Sequence, residues 1–178
     1  MHARGKKTTM RRWTTIIVTL LSMTVVLVPP TQASDEIAGR IVSHTQKVEM
    51  MEVGDVPGHF LGVSQSHGLT FYTKGPENGE IAARMSTSIF DVVKGKGTLT
   101  GHELKTFKDG STLFVKFAGT QTPIDGGKKT AYEGTWKVAG GTGRYAGVKG
   151  EGTFKGERIG DSKTGADSYF DFTGTEWR

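Results

Sequence analysis

The chain has 178 residues, with 23 Lys and Arg against 18 Asp and Glu and no cysteine, so thiolate chemistry, Cys-ligated metals and disulfide staples are excluded from the outset. Its formal charge of +5 argues for a nucleic-acid partner only until the bases are located. Arg4, Lys6, Lys7, Arg11 and Arg12 stand together at the N-terminus, and the remainder carries 18 bases against 18 acids with no basic stripe among its aromatics, so phosphate-backbone binding has no warrant.

From Trp13 the sequence runs apolar to Val28 and then breaks at "PPTQA". A basic start without acids, an apolar run and a small residue at Ala33 describe a secretory signal peptide, residues 1–33, cut after Ala33. The run falls short of the roughly 20 residues a membrane helix needs; an uncleaved N-terminal anchor is the alternative. Arg11-Arg12 fits a twin-arginine signal only loosely, which leaves the export route open between Sec and Tat. Residues 34–178 are then one domain, secreted or periplasmic, that meets no membrane once the leader is gone and is long enough to bury a real core.

Beyond the leader the apolar residues alternate with a period near two, and few stretches keep helical spacing. Strands are predicted at Ile41 to Val53, His59 to Ser64, Leu69 to Lys74, Glu80 to Val93, Gly97 to Phe107, Ser111 to Gln121, Lys129 to Val138, Gly150 to Ile159 and Asp167 to Trp177. "KDG" at Lys108 to Gly110 reads as a two-residue type I′ hairpin, "TPIDGGKK" as a longer hairpin loop and "GDSKTG" as the last turn, while "KGK" at Lys94 to Lys96 and "GGKK" at Gly126 to Lys129 read as solvated turns. Ser64 to Gly68 is read as a further turn. About eight consecutive strands joined by short loops predict an all-β fold, a closed eight-stranded antiparallel β-barrel without exposed edges.

Alternation also assigns the lining. Tyr132, Trp136 and Val138 share a face with Gly134, Phe154 with Gly150, Gly152 and Gly156, and Phe170 and Phe172 with Ala166, Ser168 and Gly174, so large aromatics and glycines are expected to point into the bore together. Strand glycines permit sharp bending or close backbone approach, which accounts for many of them by architecture alone.

The stretch "AGGTGRYAGVKGEG" at Ala139 to Gly152 looks like a nucleotide-binding loop, but its glycine spacing is not the Rossmann one, no helix follows to aim amides at a phosphate, and no Gly-Lys-Ser/Thr ending is present. A tight turn with one helical or 3₁₀ turn at Arg144 to Val148 fits better. Tyr145 and Val148 would tuck under the barrel end and Arg144 would reach solvent or a carboxylate. The segment "GGTGRYAGVKGEGTF" resembles one found between two late strands of the allene oxide cyclase-like and dirigent-like β-barrel families, over roughly residues 50–178. The resemblance implies an allene oxide cyclase-like barrel and a family habit of binding small molecules and assembling as homo-oligomers. It carries over no catalytic residue, since the cyclase's active-site motifs are not visible here.

Among chemistry-bearing residues, His44, His59, His67 and His102 fall in no metal-binding pattern, and surface or hydrogen-bonded roles are expected. No nucleophile elbow occurs. Asp91 and Glu103 lie within strands and are the weak candidates for a catalytic acid; Asp91, amid apolar neighbours, would have a raised pKa if buried, and otherwise faces solvent opposite Phe90 and Val92. Arg84 and Glu80 share a face and read as a surface pair. The expected function is that of an exported barrel which binds a small hydrophobic molecule on Tyr132, Trp136, Phe154, Phe170 and Phe172, without cofactor or metal, as a cyclase, isomerase or stereochemical guide. The alternative is a non-catalytic binding or structural barrel with a packed interior.

Overall fold

The structure, a computed structural model, describes residues 33–159 and 167–178. The assigned leader and its cleavage junction, the "GDSKTG" turn and Ala166 lie outside or at the edge of the described residues. The described chain forms β1 (Ser34–Glu52), β2 (His59–Lys74), β3 (Ile81–Val93), β4 (Lys96–Thr106), β5 (Thr112–Ile124), β6 (Lys129–Thr142), β7 (Lys149–Arg158) and β8 (Asp167–Trp177), with short 3₁₀ turns at Asp125–Gly127 and Gly143–Tyr145. Each strand pairs antiparallel with the next, and β8 returns to β1 through Arg40↔Asp171 and its neighbours, so the sheet closes into a barrel with no free edge.

Three expectations are corrected. The nine predicted stretches become eight strands, because Ser64 to Gly68 is not a turn: β2 runs straight through it. Its glycine serves close approach, since a Cβ on Gly68 would lie 2.0 Å from the Val42 carbonyl oxygen of β1. Strand β1 starts at Ser34 rather than Ile41, because pairing with β8 (Ser34↔Trp177 to Glu36↔Thr175) overrides the weak strand propensity of "SDE". Finally, "KDG" is no type I′ turn: neither Lys108 nor Asp109 has positive φ, and Gly110 alone (φ 80°) carries the left-handed residue of a three-residue loop, closed by Phe107 N–H donating to Ser111 O at 2.9 Å. The type I′ geometry belongs instead to Lys94 (φ 51°) and Gly95 (φ 81°), between β3 and β4.

The inward faces follow the alternation. Even-numbered residues of β3, β6, β7 and β8 and odd-numbered ones of β4 and β5 point inward, and a register shift between Thr45 and Lys47 switches the inward set of β1 from Ile41 and Ser43 to Val48 and Met50. Interior aromatics repeatedly sit opposite a glycine on the neighbouring strand: Phe90↔Gly62, Phe117↔Gly101, Phe154↔Gly134, Phe170↔Gly156 and Phe172↔Gly39. Each ring lies over the bare backbone of its partner; a Cβ on Gly62 would sit 2.3 Å from Phe90 Cζ. Glycine abundance is thus the complement of an aromatic lining.

Candidate functional site

The bore holds a cavity of about 250 Å³. Its walls differ because neighbouring strands supply different inward residues. From β5 to β8 come Phe117, Tyr132, Trp136, Phe154, Phe170 and Phe172, so all five aromatics expected from alternation line the cavity. They pack edge to face, with ring centroids 6.0 Å apart for Phe154 and Phe170 and 6.3 Å for Trp136 and Phe172. The Trp136 indole N–H donates to Thr173 O at 3.2 Å, which leaves its ring face as the feature shown to the bore. Opposite, β1 to β3 supply Ser43, Ser64, Ser66, Ser86 and Ser88, with Ser64 and Ser88 hydroxyls 2.7 Å apart. The β5–β8 side carries most of the rings and the β1–β3 side most of the hydroxyls, with Phe60 and Phe90 joining it toward one end.

One end of the bore is sealed. The 3₁₀ turn at Gly143–Tyr145 pushes Tyr145 (2% exposed) under the barrel, where its ring stacks on Phe107 at 4.4 Å and its hydroxyl donates to Glu77 Oε1 at 3.0 Å. Val148, Tyr72 and Leu113 complete the plug. Arg144 points outward and grips Glu80 through both terminal nitrogens (Nη1–Oε1 2.9 Å, Nη2–Oε2 2.5 Å), with Asp109 at 3.7 Å. The glycine-rich segment is therefore a structural stopper, as its sequence suggested. Burial falls toward the other end, where Met50 is exposed and Phe60, Phe90 and Gln121 are half-buried; this is the mouth.

Near the plug the lining turns ionic. Arg84, Glu103 and Lys105 are all buried: Arg84 Nε donates to Glu103 Oε2 at 2.5 Å, and Lys105 Nζ lies 3.4 Å from Glu103 Oε1 and donates to the Tyr72 hydroxyl at 3.3 Å. Burial pushes the Glu103 carboxyl up, but Arg84 and Lys105 outweigh it and hold it below the ordinary carboxylate range. Burial also lowers Lys105, against the pull of Glu103. Glu176, inward on β8, is pushed up to about 7 by burial and by the Glu77 carboxylate, against the pull of Lys105. Buried polar atoms without a partner include Arg84 Nη1 and Glu176 Oε1.

The structure separates the two carboxylate candidates. Glu103 is inside, on the floor of the bore. Asp91 is outside: it is an exposed residue whose Oδ1 lies 2.8 Å from His59 Nε2, while His59 Nδ1 lies 2.6 Å from Asp55. The two carboxylates raise the His59 pKa, Asp91 more than Asp55, and His59 lowers that of Asp55. This clasp ties the β1–β2 loop to β3 on the outer surface, as does Lys94 N–H donating to Gly58 O at 2.8 Å. The expected Glu80–Arg84 surface pair does not form, because Glu80 precedes β3 and serves Arg144 while Arg84 turns inward to Glu103. His44, His67 and His102 also sit at outward positions, and among the described residues no group of three His, Asp or Glu is placed to hold a metal.

Sequence reasoning passed over Arg84 as an interior group, and it missed Lys105 and Glu176 altogether. The signal was there: Glu176 has the parity of Phe170, Phe172 and Gly174, and Lys105 that of Leu99 and Gly101. No family model matches the chain and no curated protein matches it. Among solved structures it is similar to a pterocarpan synthase dirigent protein, at 15% identity and a TM-score of 0.41, over 88% of this chain and 96% of that one.

Proposed function

We propose that this chain is an exported barrel that takes a small hydrophobic molecule into its bore and holds it in one conformation, acting as a cofactor-free cyclase, isomerase or stereochemical guide. The observation that carries the reading is the cavity of about 250 Å³ with one sealed end, one mouth and an aromatic wall facing a hydroxylated one. Such a pocket selects shape: a flexible guest stacked on Phe154, Phe170 and Trp136 loses alternative conformers, and restriction of that kind accelerates ring closure or directs coupling without any reacting side chain. A cavity of this size also weighs against the packed interior of the alternative barrel. Binding without turnover is the second reading, favoured by the placement of Asp91 on the outer face, away from any guest.

Two further parts belong to the proposal. Export with cleavage after Ala33 rests on the leader sequence, and N-terminal sequencing of the exported protein checks it: a start at Ser34 is expected, and an intact leader contradicts it. A homo-oligomer rests on the outer face of β2 and β3, where Leu61, Val63, Leu69, Ile81, Met85 and Ile89 are exposed, Ile89 at 59%. That face is nearly uncharged, so a second copy of it meets no like-charge repulsion.

The test of guest binding is mass spectrometry under native conditions on protein taken from its own compartment. A bound small molecule at one per chain is expected, and Ser66→Phe, which fills the bore from the hydroxylated wall without removing packing, should lose it. Wild type carrying nothing, or Ser66→Phe carrying the same molecule, would overturn the reading.

A further inference from the structure

On the floor of the bore two cations, Arg84 and Lys105, share one carboxylate, Glu103, which engages both. The neighbouring carboxyls are Glu176, whose Oε1 is buried without a partner, and Glu77 of the plug, whose Oε1 accepts from Tyr145. Arg158 lines the bore toward its other end, where it donates to Thr130. A desolvated cationic donor that no acceptor reaches loses its hydration and regains nothing, which is costly unless an anion arrives.

The geometry names where the anion would sit. Arg84 is 8% exposed and spends Nε on Glu103, yet its Nη1 is buried with no hydrogen-bond partner. A guanidinium presents its donors as a planar fork, so an unused terminal nitrogen on a cavity wall is a place for a planar acceptor. The Lys105 ammonium supplies the second charge from the neighbouring strand, at the register position opposite Arg84, and lies over the Phe172 ring at 4.6 Å. The Arg84 guanidinium stands 6.0 Å from the Phe170 ring. The cations therefore border the aromatic wall: a guest stacked on Phe170 and Phe172 has its end against them.

We infer that Arg84 and Lys105 form an anion site at the floor of the bore, which receives the carboxylate of an amphiphilic guest whose apolar body lies on the aromatic wall. The inference rests on the proposed reading of the bore as a binding site and deepens it from "small hydrophobic molecule" to "small hydrophobic carboxylate". A carboxylate is favoured over a phosphate because the floor offers one free guanidinium nitrogen and one ammonium, too few donors for three phosphate oxygens. Glu176 beside them works in the same direction. Burial and the Glu77 carboxylate favour its protonated form, which withdraws a competing negative charge below neutral pH and makes its proton a donor.

The test uses matched probes on the purified protein: 2-naphthoate and the neutral 2-naphthylmethanol, which share an apolar body and differ in the anionic group, titrated by calorimetry at low ionic strength. The naphthoate is expected to bind at least about tenfold more tightly than the alcohol. Arg84→Met should erase that preference by weakening the naphthoate at least about tenfold relative to the alcohol. Should the variant fail to fold, wild type alone decides: with ¹³C in the carboxyl group, the bound naphthoate should titrate at lower pH than the free acid. Equal binding of the two probes to wild type, or an unshifted carboxyl titration, would overturn the anion site and leave the binding reading standing. Binding of neither probe would overturn the binding reading, and the anion site with it.

Discussion

Single residues in this barrel carry consequences that their type alone would not suggest. Glu176 is a buried carboxyl held at about 7 rather than 4.5. The native state therefore keeps its proton over a pH range in which the unfolded chain has released it. Its contribution is fully present below about pH 4.5 and is lost as pH rises through 7, with a size on the order of 3 kcal/mol. Urea denaturation should give higher stability at pH 5 than at pH 8, and Glu176→Gln should flatten that difference; His59, also raised, adds a smaller trend of the same sign that survives the substitution. An unchanged difference in Glu176→Gln would mean that the carboxyl is solvated. Asp91 is the counter-case: because it faces outward to His59, Asp91→Asn should leave the affinity of a bore guest within about twofold while loosening the β1–β2 loop, visible as faster amide exchange at residues 54–58.

At the scale of elements, two devices hold the barrel's shape: rings laid over glycines, and the plug. A Cβ on Gly101 would lie 2.3 Å from Phe117 Cζ and 2.5 Å from the Thr87 carbonyl oxygen, so Gly101→Ala must displace both a ring and a strand. A loss of about 1–3 kcal/mol is expected by chemical denaturation, where an ordinary strand glycine replaced by alanine would gain stability. In the plug, the Tyr145 hydroxyl is the partner of Glu77 Oε1, while Glu77 Oε2 has none. Tyr145→Phe should then cost about 1–3 kcal/mol despite preserving the ring, because it strands a buried carboxyl; a change below about half a kcal/mol would place water there instead. How much of this was legible follows from the same devices. Period-two alternation placed Tyr132, Trp136, Phe154, Phe170 and Phe172 on one surface without any structure, and the lack of a following helix disposed of the nucleotide loop. The serine wall and the ionic floor were not legible by residue type, since Ser, Arg, Lys and Glu favour solvent. Parity could have overruled that preference at Lys105 and Glu176. Ser64 to Gly68 misled for a related reason: Ser and Gly signal turns, and only the closeness of the β1 backbone reveals why glycine stands there.

For the whole molecule, closure divides the surface into an inner face that lines the bore and an outer face turned to solvent, and the outer face is itself divided. The β2–β3 side is apolar, whereas β6 and β7 present Glu133, Lys137, Glu151 and Lys155 to solvent. Self-association through the apolar side should appear in sedimentation equilibrium as a species larger than the monomer, and Val63→Lys combined with Ile89→Lys should return it to monomer without altering the fold; a monomeric wild type would contradict that assembly. The central claim concerns the inner face, and intermolecular nuclear Overhauser effects with 2-naphthylmethanol test it most directly. The account predicts contacts from the probe to Phe90, Trp136, Phe154 and Phe170, and none to outward neighbours such as Thr135 or Lys155 on the same strands. Contacts confined to the outer β2–β3 face, or none to any inward aromatic, would contradict it.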